Sequence, residues 1–292
     1  MTALLGSILS HPFMRDAFLA GTGIAAACGT VGYFVVLRAQ VFTGDALSHV
    51  AFTGALAALA AGVDLRIGLF GATVAVALGM GLLGRSARAD DVVIGSVFAW
   101  MLGLGVLFLS IFTAGSSGTN GTAGVSVLFG SILGLSASQA QVAAVIGAAV
   151  CLAIVLMARP LLFSSVDESV AAAAGVPVRA LGLGFLALVA VTAAETTQAV
   201  GALPLLGLLA APAAAAQLLT DRPFRALTLS TAFAVGATWM GLALSYVVPA
   251  VPPSSAIVGV ATATYAVALG VRRWGSALVW RPAGGVSVPE RA

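Results

Sequence analysis

Residues 139–158 read QAQVAAVIGAAVCLAIVLMA, a stretch without a charged side chain that ends at Arg159. An α-helix needs roughly 20 predominantly apolar residues to cross the hydrocarbon core of a bilayer. This stretch therefore predicts a transmembrane helix.

Eight further apolar runs are separated by charges or by clusters of Pro and Gly, and each is a candidate span. They cover residues 17–37, 46–63, 67–84, 92–113, 180–200, 203–219, 226–247 and 255–271. The run at 203–219 is short and closely follows the one before it, so it is either one span or a pair of half-helices. We expect an all-α fold, a polytopic transmembrane helical bundle of about 8–10 spans that makes residues 1–292 a single domain.

The composition excludes several classes of protein. The chain is 60% hydrophobic and 8% charged, with a mean hydropathy of +1.11, whereas soluble domains carry about 25% charged residues. All 13 basic residues are arginine, and there is no lysine. A phosphate-binding P-loop needs the lysine of GxxxxGK[ST], so any ATP that drives this protein binds to another subunit. The arginines are scattered at the ends of apolar runs, which argues against nucleic-acid binding.

The arginines also predict the orientation, because cytoplasmic loops carry an excess of basic residues. If Arg38 is cytoplasmic and the spans alternate, only Arg15 and Arg66 among the loop arginines lie outside. The arginines that join Arg38 inside are Arg85, Arg88, Arg159, Arg179, Arg222, Arg225, Arg272 and Arg273. The N-terminus is then outside and the C-terminus inside.

Four segments between or beyond the spans have distinct compositions. Ala114–Ala123 is an external loop rich in Gly, Ser and Thr, and it leads into the short apolar piece Val125–Leu135, which lies at the interface or re-enters. Pro160–Val178 is the longest cytoplasmic connection. Its core, Asp167–Gly175, reads as a short helix with acids at its start and Gly at its end. The tail after Arg273 is polar and is expected to be flexible.

Asp45 and His49 begin the second span four residues apart, so their side chains share one helix face. A carboxylate with an imidazole suits a divalent metal such as Zn²⁺, Mn²⁺ or Fe²⁺. The alternative is a helix-capping Asp with an incidental His, or an Asp–His hydrogen bond that only packs. Ionisable groups in a membrane are costly and are usually functional, which favours the metal.

Glu195 lies late in the sixth span, in the stretch AETTQ. It either faces a water-filled path, where it binds or relays a cation, or sits at the outer interface hydrogen-bonded to Thr or Gln. His11 is expected at the surface, and Asp90 and Asp91 are expected to cap the fourth span. No GxSxG or HExxH motif is present, so a membrane enzyme is a weak alternative.

Motifs in order along nearly the whole chain resemble the permease subunits of bacterial ABC importers for zinc and manganese, the metal ABC transporter permease family (ABC-3). The matching stretches are GYFVVLR (32–38), FTGDALSH (42–49), DVVIG (91–95), LFGSIL (128–133), DESVAAAAG (167–175), QAVG (198–201) and PAA (212–214). Ser131 stands where many members carry Asp, and Glu195 stands where many carry an apolar residue.

The resemblance implies a homodimeric permease in the bacterial cytoplasmic membrane, with ATP-binding subunits and an extracytoplasmic metal-binding protein as partners. It implies that Asp45 and His49 are the metal ligands, and that Asp167, Glu168, Ala171 and Gly175 belong to the segment that couples to the ATPase. The transported zinc or manganese is then substrate, and no covalently bound cofactor is expected. A proton-coupled secondary transporter that uses Glu195 is the alternative.

Overall fold

The computed structural model describes residues 11–84, 91–114, 130–202 and 204–279, with residues 91 and 275–279 described in their backbone only. Every regular element in these ranges is helical, which confirms the all-α prediction. The ten α-helices are α1 (Pro12–Leu37), α2 (Val41–Ala61), α3 (Leu65–Leu83), α4 (Asp91–Ala114), α5 (Ala137–Val166), α6 (Glu168–Ala173), α7 (Val178–Ala199), α8 (Leu205–Leu219), α9 (Pro223–Val247) and α10 (Pro253–Val279). A 3-10 turn, Ile132–Gly134, precedes α5.

Eight of these helices are long and apolar enough to cross a membrane, namely all except α6 and α8. Helix α8 comprises 15 residues as one continuous helix through Pro212, so residues 205–219 are one short apolar helix and not two half-helices. The predicted bundle of eight to ten spans is confirmed.

Helix α1 is the centre of the bundle. It packs against α5, α7, α8 and α9, while α2 packs against α3, α4 and α7 on one side of it. Phe34 on α1 and Phe185 on α7 are fully buried, and their rings meet edge to face with centroids 6.3 Å apart. Helix α4 is peripheral, with large apolar side chains such as Trp100 and Val106 exposed.

Glycine pairs let the helix backbones approach closely where the helices cross. Gly23 on α1 faces Gly147 on α5, and Gly54 on α2 faces Gly68 on α3. A Cβ on any of these four glycines would collide with the opposing backbone. Small residues of this kind compensate for the weak hydrophobic driving force between helices that lie in lipid.

Buried polar side chains add hydrogen bonds between the helices. The Ser230 hydroxyl of α9 donates to the Gly29 carbonyl of α1 at 2.6 Å, and the Gln217 amide of α8 donates to the Tyr33 carbonyl at 3.0 Å. The Thr53 hydroxyl of α2 donates to the Met101 carbonyl of α4 at 2.9 Å. Such bonds fix the register of one helix against the next, because an unpaired polar group in hydrocarbon is costly.

The helix ends differ from the sequence expectations in two places. Helix α5 continues through Pro160 to Val166, so the first part of the expected connection 160–178 is helical. Helix α10 continues past Arg273 to Val279, and the rest of the expected tail lies outside the described residues. Helix α4 begins at Asp91. Asp90, residues 115–123 of the expected loop and residues 125–129 of the expected apolar piece also lie outside the described residues.

Candidate functional site

The Asp45–His49 pair is positioned by a tight reversal between α1 and α2. Arg38 ends α1, and its guanidinium carbon lies 5.4 Å from the centroid of the Phe185 ring. Ala39 has a positive φ of 55°, and α2 begins at Val41. With a rise of about 1.5 Å per residue, Asp45 and His49 lie roughly 6 and 12 Å along α2 from its first residue.

Asp45 does not cap the helix. Gln40 is the N-cap residue of α2, and Asp45 is already in the second turn, where its carbonyl accepts the Ser48 hydroxyl at 2.7 Å. Asp45 and His49 are both half-buried. The capping alternative is therefore wrong, and the carboxylate is available for another role.

Both side chains face helix α4. The His49 ring meets the Phe98 ring edge to face, with centroids 5.0 Å apart and an interplanar angle of 87°. Asp45 lines a cavity of about 420 Å³ whose other lining residues are Phe42, Ala46, Ile94, Gly95 and Phe98. The lining of this cavity is mostly apolar, and the Asp45 carboxylate is its charged group. A cation that entered the cavity would therefore be attracted to Asp45.

The pair alone does not complete a metal site. Within the described ranges, no group of three or more His, Cys, Asp or Glu side chains could hold a metal ion. Zinc takes four ligands in most protein sites, and manganese prefers octahedral oxygen-rich sets. Further ligands would have to come from outside this set of side chains.

Glu195 is buried in α7, with 5% of its surface exposed. Its Oε1 atom has no hydrogen-bond partner among the described residues. The nearby positive group is Arg66 at the start of α3, which acts electrostatically on the carboxylate. The arginine distribution predicts that Arg66 is outside, but no pattern in the sequence predicts that it acts on Glu195.

Gln198 completes this second polar group. With its amide oxygen turned toward the guanidinium, it accepts hydrogen bonds from Nε and Nη2 of Arg66 at 3.2 and 3.3 Å. Arg66 and Gln198 line a cavity of about 300 Å³, together with Asp64, Ser131 and Gln139. In the sequence, Gln198 is distinguished only as part of the QAVG motif (198–201).

Arg38 and Arg66 lie toward opposite ends of the bundle. Arg38 contacts Phe185 and Arg66 contacts Gln198 on the same helix. Those two α7 positions are roughly 20 Å apart along the helix. This agrees with the arginine-based orientation, in which Arg38 is cytoplasmic and Arg66 is outside.

The segment after α5 forms a separate surface at the Arg38 end. Asp167 is the N-cap of α6, and its Oδ1 accepts the Ser169 hydroxyl at 2.7 Å and the Val170 N–H at 3.0 Å. These two hydrogen bonds hold the pKa of Asp167 below its usual value. Ala171 is fully buried, whereas Gly175 is exposed with a φ of +85°.

A groove of about 860 Å³ runs beside this segment. Its lining residues are Gly84, Glu168, Ala172, Pro177, Val178, Arg179, Ala180 and Leu183. One concave surface is therefore formed by the end of α3, helix α6 and the start of α7. It carries an acidic residue, Glu168, and a basic residue, Arg179. The expected short helix is confirmed, and its role in coupling stays a prediction.

Known proteins resemble the chain along most of its length. The profile of the ABC 3 transport family matches residues 10–272. The "Manganese transport system membrane protein MntC" of Halalkalibacterium halodurans is 32% identical over 272 residues, which cover 92% of this chain and 90% of that protein. The "Manganese import system permease protein ScaB" of Streptococcus parasanguinis is 28% identical over 248 residues, covering 84% and 86%.

A solved structure agrees with these relatives. PsaBC from Streptococcus pneumoniae, solved in complex with a Fab, superposes with a TM-score of 0.81 and 26% identity. The match covers 95% of this chain and 100% of that chain. These similarities support a multi-pass protein of the bacterial cytoplasmic membrane and do not favour the proton-coupled carrier. The chain belongs to the ABC 3 transport family and is the membrane-spanning permease of an ABC transporter.

Proposed function

We propose that this permease imports a divalent transition metal, manganese or iron, along a path in which Asp45 and His49 bind the ion directly. The observation that carries the proposal is the placement of these two donors. They are half-buried inside a membrane helix, on one face, toward a cavity with mostly apolar walls. Ionisable groups inside a membrane are expensive, and in transporters they mark the path of the ion.

The choice among candidate metals is supported by the names of the relatives and not by the two side chains. A carboxylate and an imidazole are compatible with Zn²⁺, Mn²⁺ and Fe²⁺. Both relatives described above carry manganese in their names. Zinc, which the donor pair permits, has no such support, so manganese is the first ion to test.

A second copy of the chain is proposed to complete the ligand set. Two chains related by a two-fold axis would present two carboxylates and two imidazoles, and water can add the further oxygen ligands that manganese prefers. The exposed apolar side chains of α4 lie on the same side of the bundle as the Asp45 cavity and suit a partner or lipid. An ATP-binding subunit and an extracytoplasmic metal-binding protein are the other proposed partners. The groove beside α6 is the proposed docking surface for the ATP-binding subunit.

The direct test is manganese uptake by the assembled transporter. Asp45→Asn preserves shape and hydrogen bonding but removes the charge, and His49→Ala removes the imidazole. Each change should lower uptake at least tenfold, because neighbouring groups cannot supply an equivalent donor.

The chain offers matched controls for both changes. His11→Ala alters the only other histidine, which is exposed and lies beside the rings of Phe13 and Tyr246. Asp64→Asn alters an exposed carboxylate that caps α3 by accepting the Arg66 N–H at 2.8 Å. The proposal fails if the Asp45→Asn/His49→Ala double variant, at normal membrane abundance, takes up manganese as the two controls do.

A further inference from the structure

An apolar groove of about 350 Å³ lies on the outer surface of the bundle between α9 and α10. It is lined by the last residue of α8, by two side chains of α9 and by a stripe along α10, namely Leu219, Phe233, Met240 and the stretch from Val260 to Val271. Ala268 forms the floor and is 2% exposed, whereas Met240 and Val267 on the walls are 63% and 66% exposed. The groove is therefore an open concave surface and not an internal cavity.

The length of the groove matches one leaflet of a bilayer. Its α10 side runs from Val260 to Val271, roughly 16 Å at about 1.5 Å per residue. The hydrocarbon core of a bilayer is about 30 Å thick, so one leaflet contributes roughly 15 Å. Trp274 is 79% exposed just beyond Val271, and exposed Trp is typical of the interface between hydrocarbon and headgroups. An acyl chain that starts at this interface can therefore follow the groove along its length.

Basic residues gather at the interfacial end of the groove. Arg272 directly follows the last lining residue of α10, and Arg222 and Arg225 follow the end of α8 by three and six residues. All three side chains are exposed, and the acidic residue beside them is Asp221. Three positive charges thus outnumber one negative charge. Anionic lipid headgroups are attracted to such basic clusters at the ends of membrane helices.

Helix geometry directs Arg272 and Arg273 to different sides of α10. Arg272 is four residues after Ala268, the floor of the groove, so the two share one helix face. Arg273 is seven residues, or about two turns, after Ala266. Ala266 is exposed and is not part of the groove lining. Arg272 is therefore the α10 arginine on the groove side.

We propose that this groove binds one anionic phospholipid, with an acyl chain lying between α9 and α10 and with the phosphate bound by Arg272 and by Arg222 or Arg225. The apolar lining and the basic end match the two chemical parts of such a lipid. The bound lipid would contact α8, α9 and α10 together and hold their ends in place. This proposal does not depend on the metal path.

A second copy of the chain is a less suitable occupant than lipid. Helix α10 packs against α8 and α9, whereas α4 packs mainly against α2. The groove thus lies on a different side of the bundle from α4, the helix proposed above to face a partner. A second copy would also have to supply an acidic group to the three arginines, whereas an anionic phospholipid carries one.

The test of the headgroup is native mass spectrometry of the full-length chain, released from detergent and titrated with one lipid at a time. Dioleoylphosphatidylglycerol is anionic, and dioleoylphosphatidylcholine has the same acyl chains with no net charge. The first bound phosphatidylglycerol should appear at a concentration on the order of tenfold lower than the first phosphatidylcholine. Arg272→Gln should weaken phosphatidylglycerol binding roughly fivefold, whereas Arg273→Gln, the matched control, should change it little.

The test of the acyl chain is to fill the groove. Ala263 lines the groove and is exposed, so Ala263→Trp should occupy the groove without entering the core. It should suppress the first binding event of both lipids. Ala266→Trp makes the same change on the same helix outside the groove and should leave that event unchanged. Because all four variants alter exposed residues, each should keep the Tm of the unaltered chain.

Selective losses in Arg272→Gln and Ala263→Trp would support the proposed lipid site. Equal affinity of the unaltered chain for the two lipids would overturn it, and so would equal weakening by Arg272→Gln and Arg273→Gln. Equal lipid binding by the two Trp variants would show that lipid binds elsewhere on the surface. If Ala263→Trp reduced the fraction of paired chains and left lipid binding unchanged, a second copy would cover the groove, which would likewise overturn the proposal.

Discussion

At the scale of single residues, Gly95 on α4 leaves space in front of Asp45. It lines the 420 Å³ cavity, and a Cβ built on Gly95 would have no heavy atom within 4 Å. A larger side chain could therefore enter the cavity without displacing a backbone. The absence of a side chain here is a candidate requirement for ion passage.

Gly95→Leu should reduce manganese uptake more than tenfold by occupying the space that the ion would cross. Folding should be little affected, because no neighbouring backbone has to move. Gly103→Leu is the matched control on the same helix, where a Cβ also meets open space. Uptake and detergent-extracted yield should be measured together for both variants. Comparable uptake by the two would show that the Gly95 cavity is not on the path.

The two polar groups differ in how far the sequence could predict them. Asp45 and His49 are four residues apart, and helix geometry alone puts them on one face. The contact between Arg66 and Gln198 joins residues more than a hundred positions apart, and no local pattern predicts it. The burial of Glu195 is likewise not predictable from a local pattern, because it depends on how α2, α3 and α7 pack. Glu195 is therefore recognisable in the sequence as an acid inside a span, but its surroundings are not.

At the scale of helices, the crossing of α2 with α3 depends on two facing glycines. A Cβ on Gly68 would collide with the Gly54 carbonyl and with the Ala58 side chain, whereas a Cβ on Gly71 meets open space. Backbone atoms cannot rotate away as a flexible side chain can. The helices would have to separate to accept any larger residue at Gly68.

Gly68→Val should therefore lower the free energy of unfolding by about 1–3 kcal/mol or more, the usual cost of overpacking. Gly71→Val makes the same chemical change on the same helix and carries the same change in helix propensity, so the difference between the variants isolates the crossing. Thermal unfolding of the purified chain in detergent would measure it. Equal Tm values would contradict the close approach.

Helix ends were harder to predict than helix cores. Pro160 suggested the end of a span, because Pro removes one backbone hydrogen bond and kinks a helix. Helix α5 nevertheless runs to Val166, 30 residues in all. Pro212 likewise lies inside α8 without dividing it. One lost backbone hydrogen bond removes only a small part of the free energy that stabilises a helix packed along its length. Packing therefore outweighs the proline in both helices.

At the scale of the whole molecule, the proposed function requires that the α6 surface, as the proposed docking site of the ATP-binding subunit, communicates with the Asp45–His49 pair. The groove beside α6 joins the end of α3 to the start of α7. Helix α7 also carries Phe185, against which Arg38 lies at the start of the reversal into α2. A displacement of the α6 surface by an ATP-binding subunit would therefore reach the proposed metal ligands through one helix, α7.

Substitution of Gly175 can test this coupling, because the backbone conformation at this position favours glycine. Its φ of +85° is strained for L-amino acids, although a Cβ there would meet no atom within 4 Å. Gly175→Val should distort the α6–α7 connection at a cost of roughly 1–2 kcal/mol, whereas Gly175→Asn should be tolerated because Asn accepts positive φ more readily.

The Val variant should co-purify with less ATP-binding subunit and lose most ATP-driven uptake, while its Mn²⁺ binding stays unchanged. The Asn variant should resemble the unaltered chain in all three measurements. Full co-purification and full uptake by Gly175→Val would show that ATP-driven movement enters the bundle elsewhere.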